Sequence, residues 1–177
     1  SQCEKCHAEC VVADPGKAQV LAESCLGQTL LYEGEKYEIP LAGVYQKENA
    51  VVALNALKVL DTLDFASTPE QKKAGMKHTV WNGRFTVLCT EPLFVVDGAH
   101  NPAAATVLKE SLETYFKGKN LYYIFGVFAD KDYEKVIELT APLAKRIVTV
   151  QTPDNPRALP AEELKKAVEK VNPNVTS

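Results

Sequence analysis

The stretch Leu93-Phe94-Val95-Val96-Asp97-Gly98-Ala99-His100-Asn101-Pro102 decides the fold. Four apolar residues, three of them aromatic or β-branched, have the pattern of a strand buried on both faces. The run ends on a carboxylate, and Gly98 lets the backbone turn sharply behind it. Asn101 suits a helix cap, and Pro102 suits the first helical position. The segment therefore predicts a buried parallel strand over 93–97 and a helix from 102, with Asp97 and His100 in the turn between them. Open α/β sheets bind ligands just outside the carboxyl ends of their strands, so this polar pair is a candidate site. The competing reading is an aspartate and a histidine that only brace a turn. Spacing alone leaves the two level.

Downstream of this stretch, strands and helices alternate. A helix over 102–117 stops at Gly118, and 121–127 reads as a second buried strand. A helix over 132–139, a third strand over 147–151 and a helix from Leu159-Pro160-Ala161 to about Val171 follow. Another strand is due at Val175-Thr176. Such alternation implies a parallel sheet with right-handed crossovers. The expected class is α/β, a Rossmann-like, mostly parallel sheet over 81–177, with Phe85–Leu88 as a leading strand.

Upstream the pattern is different. A helical first segment to about Val11 and a short strand at Val11-Val12-Ala13 are expected. Thr29–Tyr32 and Tyr37–Ile39 read as a hairpin around Gly34. A long helix over 47–63 carries a broad apolar stripe from Ala50 to Leu60. Thr68-Pro69-Glu70-Gln71 is a capping box that opens a further helix to about His78. Residues 1–80 look too sparse in apolar pattern to close a core, which separates them from 81–177.

Bulk chemistry narrows the function. With 23 acidic against 20 basic residues the net charge is −3, which argues against nucleic acid as the main partner, because neutralising phosphates needs a basic face. No apolar run approaches a membrane span, and the first ten residues are not a signal peptide. A cytoplasmic protein is expected. Cys3-Glu4-Lys5-Cys6-His7 matches a c-type haem attachment pattern, and Cys3, Cys6, His7 and Cys10 have ligands for zinc. Cys3, Cys6 and Cys10 also share a helical face, and packed thiols are the favoured reading.

Three local patterns bear on chemistry. Asn49 sits in the first turn of the long helix, where a carboxamide can pair with an adenine edge; the alternative is a capping side chain. Arg84, after a glycine turn in Trp81-Asn82-Gly83-Arg84-Phe85, is placed to clamp phosphate; the alternative is an ion-paired surface arginine. Asp97 offers an acceptor for ribose hydroxyls. His100 can hold a carboxylate or help in proton transfer.

Taken in order, Gly43-x-Tyr45-Gln46-x-x-Asn49-Ala50, Trp81-x-Gly83-Arg84-Phe85, Asp97–Pro102 and Gly126-Val127-x-Ala129-Asp130-Lys131-Asp132 resemble the folylpolyglutamate synthase family. The related dihydrofolate synthases share the pattern, and both belong to the Mur ligase superfamily. Pro156-Arg157-Ala158 also fits the family's later loop. The resemblance implies an N-terminal and central ATPase region and a C-terminal Rossmann-like domain. It implies ATP and Mg2+ as cofactors, a folate such as a tetrahydrofolate polyglutamate and L-glutamate as partners, and a monomeric parent enzyme. ATP phosphorylates the terminal glutamyl carboxyl of the folate, and the amino group of glutamate attacks the acyl phosphate. Carried over by motif, Asn49 contacts adenine, Arg84 the phosphates and Asp97 the ribose end of ATP, with His100 near the reacting groups or the glutamate.

The departures are specific. The phosphate loop Gly-x-x-x-x-Gly-Lys-Ser/Thr is absent: Gly16-Lys17 and Gly118-Lys119 both lack the pattern. The metal ligands and modified lysine of the family's earlier regions are absent too. The expectation is a piece of a larger ligase, residues 1–80 from the tail of its central ATPase domain and 81–177 from its glutamate-ligase domain, inactive by itself. The rivals are a non-catalytic nucleotide-binding or regulatory module and another Mur-type ligase acting on a cell-wall precursor.

Overall fold

The computed structural model describes residues 2–176; Ser1 and Ser177, the outermost residues of the two expected pieces, lie outside them. The chain forms two compact units, Ser1–Asn82 and Gly83–Ser177.

The first unit begins with a short helix α1, Gln2–Lys5. Strands β1 (Gln19–Ser24), β2 (Gly27–Tyr32) and β3 (Glu35–Ile39) form an antiparallel sheet in the order β1-β2-β3. The β2–β3 turn closes on Glu33 and Gly34, both at positive φ, the conformation glycine allows without strain. Two helices follow, α2 (Gln46–Asp61) and α3 (Pro69–Lys77). Thr68 opens α3 as the sequence predicts: its Oγ1 accepts the Gln71 N–H, and Gln71 Oε1 accepts the Thr68 N–H. Alternate residues of β2 and β3 face inward, and Leu30, Tyr32, Tyr37 and Ile39 pack with Ala50, Val51, Leu54 and Met76.

This core corrects the expectation that residues 1–80 cannot close one. The apolar residues are few, but period 2 in the strands and the helical stripe bring them to one place. The N-terminal expectations also change. The helix ends at Lys5, where His7 takes φ +51° and the Ala8 N–H returns to the Cys3 carbonyl. Residues 8–14 have no regular structure; Val12 is 81% exposed and finds no strand to pair with among the described residues. Cys6, Cys10 and Cys89 are exposed and Cys3 and Cys25 half-buried, so packed thiols are not what these residues are. A hydrogen bond with Cys3 raises the Cys10 thiol above its usual range. Among the described residues no three metal-ligating side chains converge.

The second unit contains a two-stranded antiparallel sheet, β4 (Thr86–Thr90) with β5 (Leu93–Val96). Then come α4 (Pro102–Tyr115), β6 (Leu121–Phe125), α5 (Tyr133–Thr140), β7 (Ala144–Thr149), α6 (Ala161–Glu169) and β8 (Val175–Thr176). Strands β6, β7 and β8 form a parallel sheet in that order. Ile147 and Val175 of the sheet pack on Ile137 of α5 and Leu164 and Val168 of α6. This is the expected α/β class with a parallel sheet.

Two strands differ from expectation. β5 pairs antiparallel with β4, in its own sheet, and Leu93 and Phe94 are each 44% exposed. An apolar run records that a strand forms, not which neighbour it takes or in which direction. β6 is buried on one face only: Tyr123 and Phe125 meet the core, while Tyr122 and Ile124 are each 65% exposed. A parallel strand is apolar on both sides where layers cover both faces, and here α5 and α6 supply one layer. Among the described residues no helix is long and apolar enough to cross a membrane.

Candidate functional site

In the first unit, the site residues belong to the turn that leads into α2. Gly43 is buried at φ +114°, and a Cβ there would lie 2.7 Å from the Tyr45 ring, so only glycine fits. Its carbonyl accepts two hydrogen bonds, from Nε2 of the buried Gln28 on β2 at 2.9 Å and from the Gln46 N–H at 3.0 Å. The turn is thereby fastened to the sheet. The residue before α2 is Tyr45, which makes no side-chain cap. Asn49 therefore is not the capping residue. It lies exposed in the first turn and donates Nδ2–H to Oε1 of the buried Gln46 at 3.0 Å.

In the second unit, the structure brings two sequence motifs together. Asp97 Oδ2 accepts the Phe85 N–H at 2.8 Å, and the Gly98 N–H reaches the Gly83 carbonyl at 2.8 Å. Asp97 Oδ1 accepts the Ala99 N–H at 2.8 Å. Arg84 thus stands on a turn stitched directly to the Asp97 turn, with its own side chain exposed. Phe85, between them, is 2% exposed and packs on Tyr115, the last residue of α4, and on Phe116 just beyond it, ring centroids 5.5 and 6.0 Å away. Each Asp97 oxygen is engaged once and keeps a second lone-pair direction. The carboxylate braces the corner and retains capacity for a ligand.

His100 is exposed, with Nδ1 2.8 Å from the Gly98 carbonyl. Asn101 caps α4 as expected, its Oδ1 accepting the Ala104 N–H at 2.9 Å, with Pro102 at the first helical position. Pro102 has no N–H, and the Ala104 and Ala105 N–H groups already donate to Asn101, so the positive end of α4 at this corner comes from its aligned peptide dipoles and not from a row of free donors.

A second constellation lies at the carboxyl ends of β6 and β7. Arg157 grips Asp130 with two bonds, Nε to Oδ1 at 3.3 Å and Nη2 to Oδ2 at 2.6 Å, and its guanidinium stands 4.9 Å from the Phe128 ring centre. The Ala129 N–H donates to the Arg157 carbonyl and the Leu159 N–H to the Val127 carbonyl. The Arg157 guanidinium holds the Asp130 carboxyl below its usual range. The sequence marks both loops, but residues 27 apart carry no local sign of pairing.

A family model described as Mur ligase, glutamate ligase domain, matches residues 83–177. The chain is 32% identical over 140 residues to the folylpolyglutamate synthase of Lacticaseibacillus casei, covering 76% of this chain and 32% of that protein. It is 36% identical over 139 residues to a probable bifunctional folylpolyglutamate synthase/dihydropteroate synthase of Haloferax volcanii, covering 76% of this chain and 15% of that protein. Folylpolyglutamate synthase of Mycobacterium tuberculosis, solved in complex with ADP and AMPPCP, superposes with a TM-score of 0.81 at 27% identity, over 98% of this chain and 40% of that one. The folylpolyglutamate synthase structure of Thermotoga maritima gives a TM-score of 0.78 at 26% identity. This chain spans 32% of the length of the first of these relatives. The family model covers more than half of the residues, Gly83 included, and the chain therefore belongs to the Mur ligase family through its glutamate ligase domain.

Proposed function

We propose that this chain is the C-terminal part of an ATP-dependent ligase that adds L-glutamate to the γ-carboxyl of a folate. Residues 1–80 belong to the central ATPase domain and 81–177 to the glutamate-ligase domain of a monomeric, cytoplasmic parent. The observation that carries this reading is the stitched corner of Gly83–Phe85 and Asp97–Ala99. It brings the turn that bears Arg84, the Asp97 carboxylate and the start of α4 onto one corner, a cationic residue suited to phosphate and an acceptor suited to ribose hydroxyls.

ATP, when bound, would supply the phosphoryl group that turns the folate carboxylate into an acyl phosphate. The attacking amine of glutamate then forms the amide bond, losing a proton as phosphate leaves. The chain's own residues bind and orient. Asn49 pairs with the adenine edge, Arg84 neutralises phosphate charge, and Asp97 accepts from the ribose hydroxyls. His100, at the exposed end of the turn, holds the glutamate carboxylate or takes the amine proton. Each of these side chains has chemistry that a nucleotide can use. Among the described residues no carboxylate cluster fits magnesium, so no step is assigned to a metal here.

The test is incorporation of L-glutamate into tetrahydrofolate by the full-length ligase, read as a product heavier by one glutamyl residue with one phosphate released per ATP. Residues 1–177 alone should give no such product, because phosphoryl transfer depends on a complete phosphate cradle. A full-length protein that binds ATP yet ligates nothing is the regulatory module instead. One that extends a cell-wall precursor is a different Mur-type ligase.

A further inference from the structure

Gln46 is 3% exposed and has no ligand contact in the proposed function. A buried carboxamide must find partners, since an unpaired one costs as much as a lost hydrogen bond. Gln46 spends its Oε1 on Asn49, and its backbone N–H on Gly43, whose carbonyl also takes Nε2 of Gln28. A polar chain thus runs from β2 through the Gly43 turn to the Asn49 side chain. Only its last member, Asn49, is exposed.

This arrangement bears on which base Asn49 can read. A free carboxamide is ambiguous: rotated by half a turn, it exchanges its oxygen and nitrogen. With Nδ2 tied to Gln46 Oε1, Asn49 presents Oδ1 and its remaining N–H in one sense. That sense suits adenine, which donates from N6 and accepts at a ring nitrogen. Guanine places a carbonyl oxygen where adenine has its amino group, so Oδ1 would face another acceptor. Rotating Asn49 alone to suit guanine would set Oδ1 against Gln46 Oε1, again two acceptors, and relieving that clash requires the Gln46 side chain, 3% exposed, to turn as well inside its packed surroundings.

We infer that Gln46 is a positioning residue that locks the Asn49 carboxamide in the orientation that accepts adenine and rejects guanine. Its role is a specificity device that works partly by making the wrong arrangement unfavourable. The inference rests on the assignment of Asn49 to the adenine edge.

The experiment compares ATP and GTP in the full-length ligase by kcat/KM for glutamate-dependent phosphate release. Gln46→Met keeps the shape and removes the acceptor. It should lower the ATP-over-GTP preference about tenfold, through KM, with kcat for ATP retained. Gln46→Asn, a shorter amide that cannot reach, should do the same, and it carries the test if the methionine variant does not fold. In an Asn49→Ala background, Gln46→Met should change the preference no further. An unchanged preference in folded Gln46→Met or Gln46→Asn overturns the inference and makes Gln46 a brace. A further drop in the Asn49→Ala background also overturns it, because Gln46 would then act by another route. If Asn49→Ala itself leaves the preference unchanged, the adenine assignment falls first and this inference with it.

Discussion

The Asp97 carboxylate accepts the backbone N–H of Phe85 at 2.8 Å while Phe85 holds φ at +47°. A bulky residue in the left-handed region is strained, and the aspartate helps to hold it there. The other oxygen fixes the Ala99 N–H. The residue singled out as a ligand contact therefore has a structural task as well. Asp97→Ala should destabilise the unit Gly83–Ser177 by about 2 kcal/mol, on the order of 10 °C in melting temperature. Asp97→Asn, which keeps one acceptor, should cost less. A thermal melt of both variants decides this; an unshifted Asp97→Ala melt would leave the carboxylate with ligand binding alone.

Arg84 stands on the same turn, and its side chain is exposed. In the full-length ligase Arg84→Ala should lower kcat about a hundredfold, the usual cost, about 3 kcal/mol, of losing one charge contact to a transition state. Lysine should restore only part, because it offers a point charge in place of a planar fork. The melt should not move. A large loss of stability with normal kinetics in the folded fraction would make Arg84 a surface brace.

The Asp130–Arg157 pair yields a pH dependence with a definite sign. The guanidinium lowers the folded Asp130 pKa. The pair's stabilising effect is therefore complete above the unfolded carboxyl's pKa of about 3.9, and is lost as pH falls from there through the lowered folded value. Both side chains are about half exposed, so the effect is small and screened by salt. Carbon-detected titration of Asp130 should show it rising toward the ordinary range in Arg157→Ala. Identical titration in both proteins would mean the grip does not persist in solution.

Hydrogen exchange should rank the strands by their surroundings. β2 is the central strand of its sheet, and Leu30 is fully buried. Among the described residues β5 pairs with β4 alone, and it has an exposed face. Amides of β2 should exchange more slowly than those of β5. The opposite order would show that the first unit's core is loose and that the strand 93–96 is better covered than its exposure indicates.

Thr68→Ala should destabilise the unit Ser1–Asn82 by about 1 kcal/mol, with Thr68→Ser close to neutral, because the reciprocal bonds of the capping box need only the hydroxyl. Chemical denaturation followed at the first unit's tyrosines measures it. Equal midpoints for alanine and threonine would mean the start of α3 frays without cost.

What the sequence by itself determined is the local chemistry. The turn at Gly34, the capping box at Thr68, and the Asn101–Pro102 start of α4 all appear where the residues place them. So do the alternation after Leu93 and the four motifs that resemble the ligase family. Each depends on residues within a turn or two of one another, where propensity and capping act directly. The tertiary structure decided the rest. It paired β5 with β4 in antiparallel sense, added β1, whose residues are exposed along its whole length, and left one face of β6 open. It gave Asp97 two backbone donors, tied Asn49 to a buried glutamine, and closed Arg157 on Asp130. An apolar run has no direction, and a polar side chain does not name its partner. Those choices are made only when distant segments compete for the same hydrogen bonds and the same buried surface.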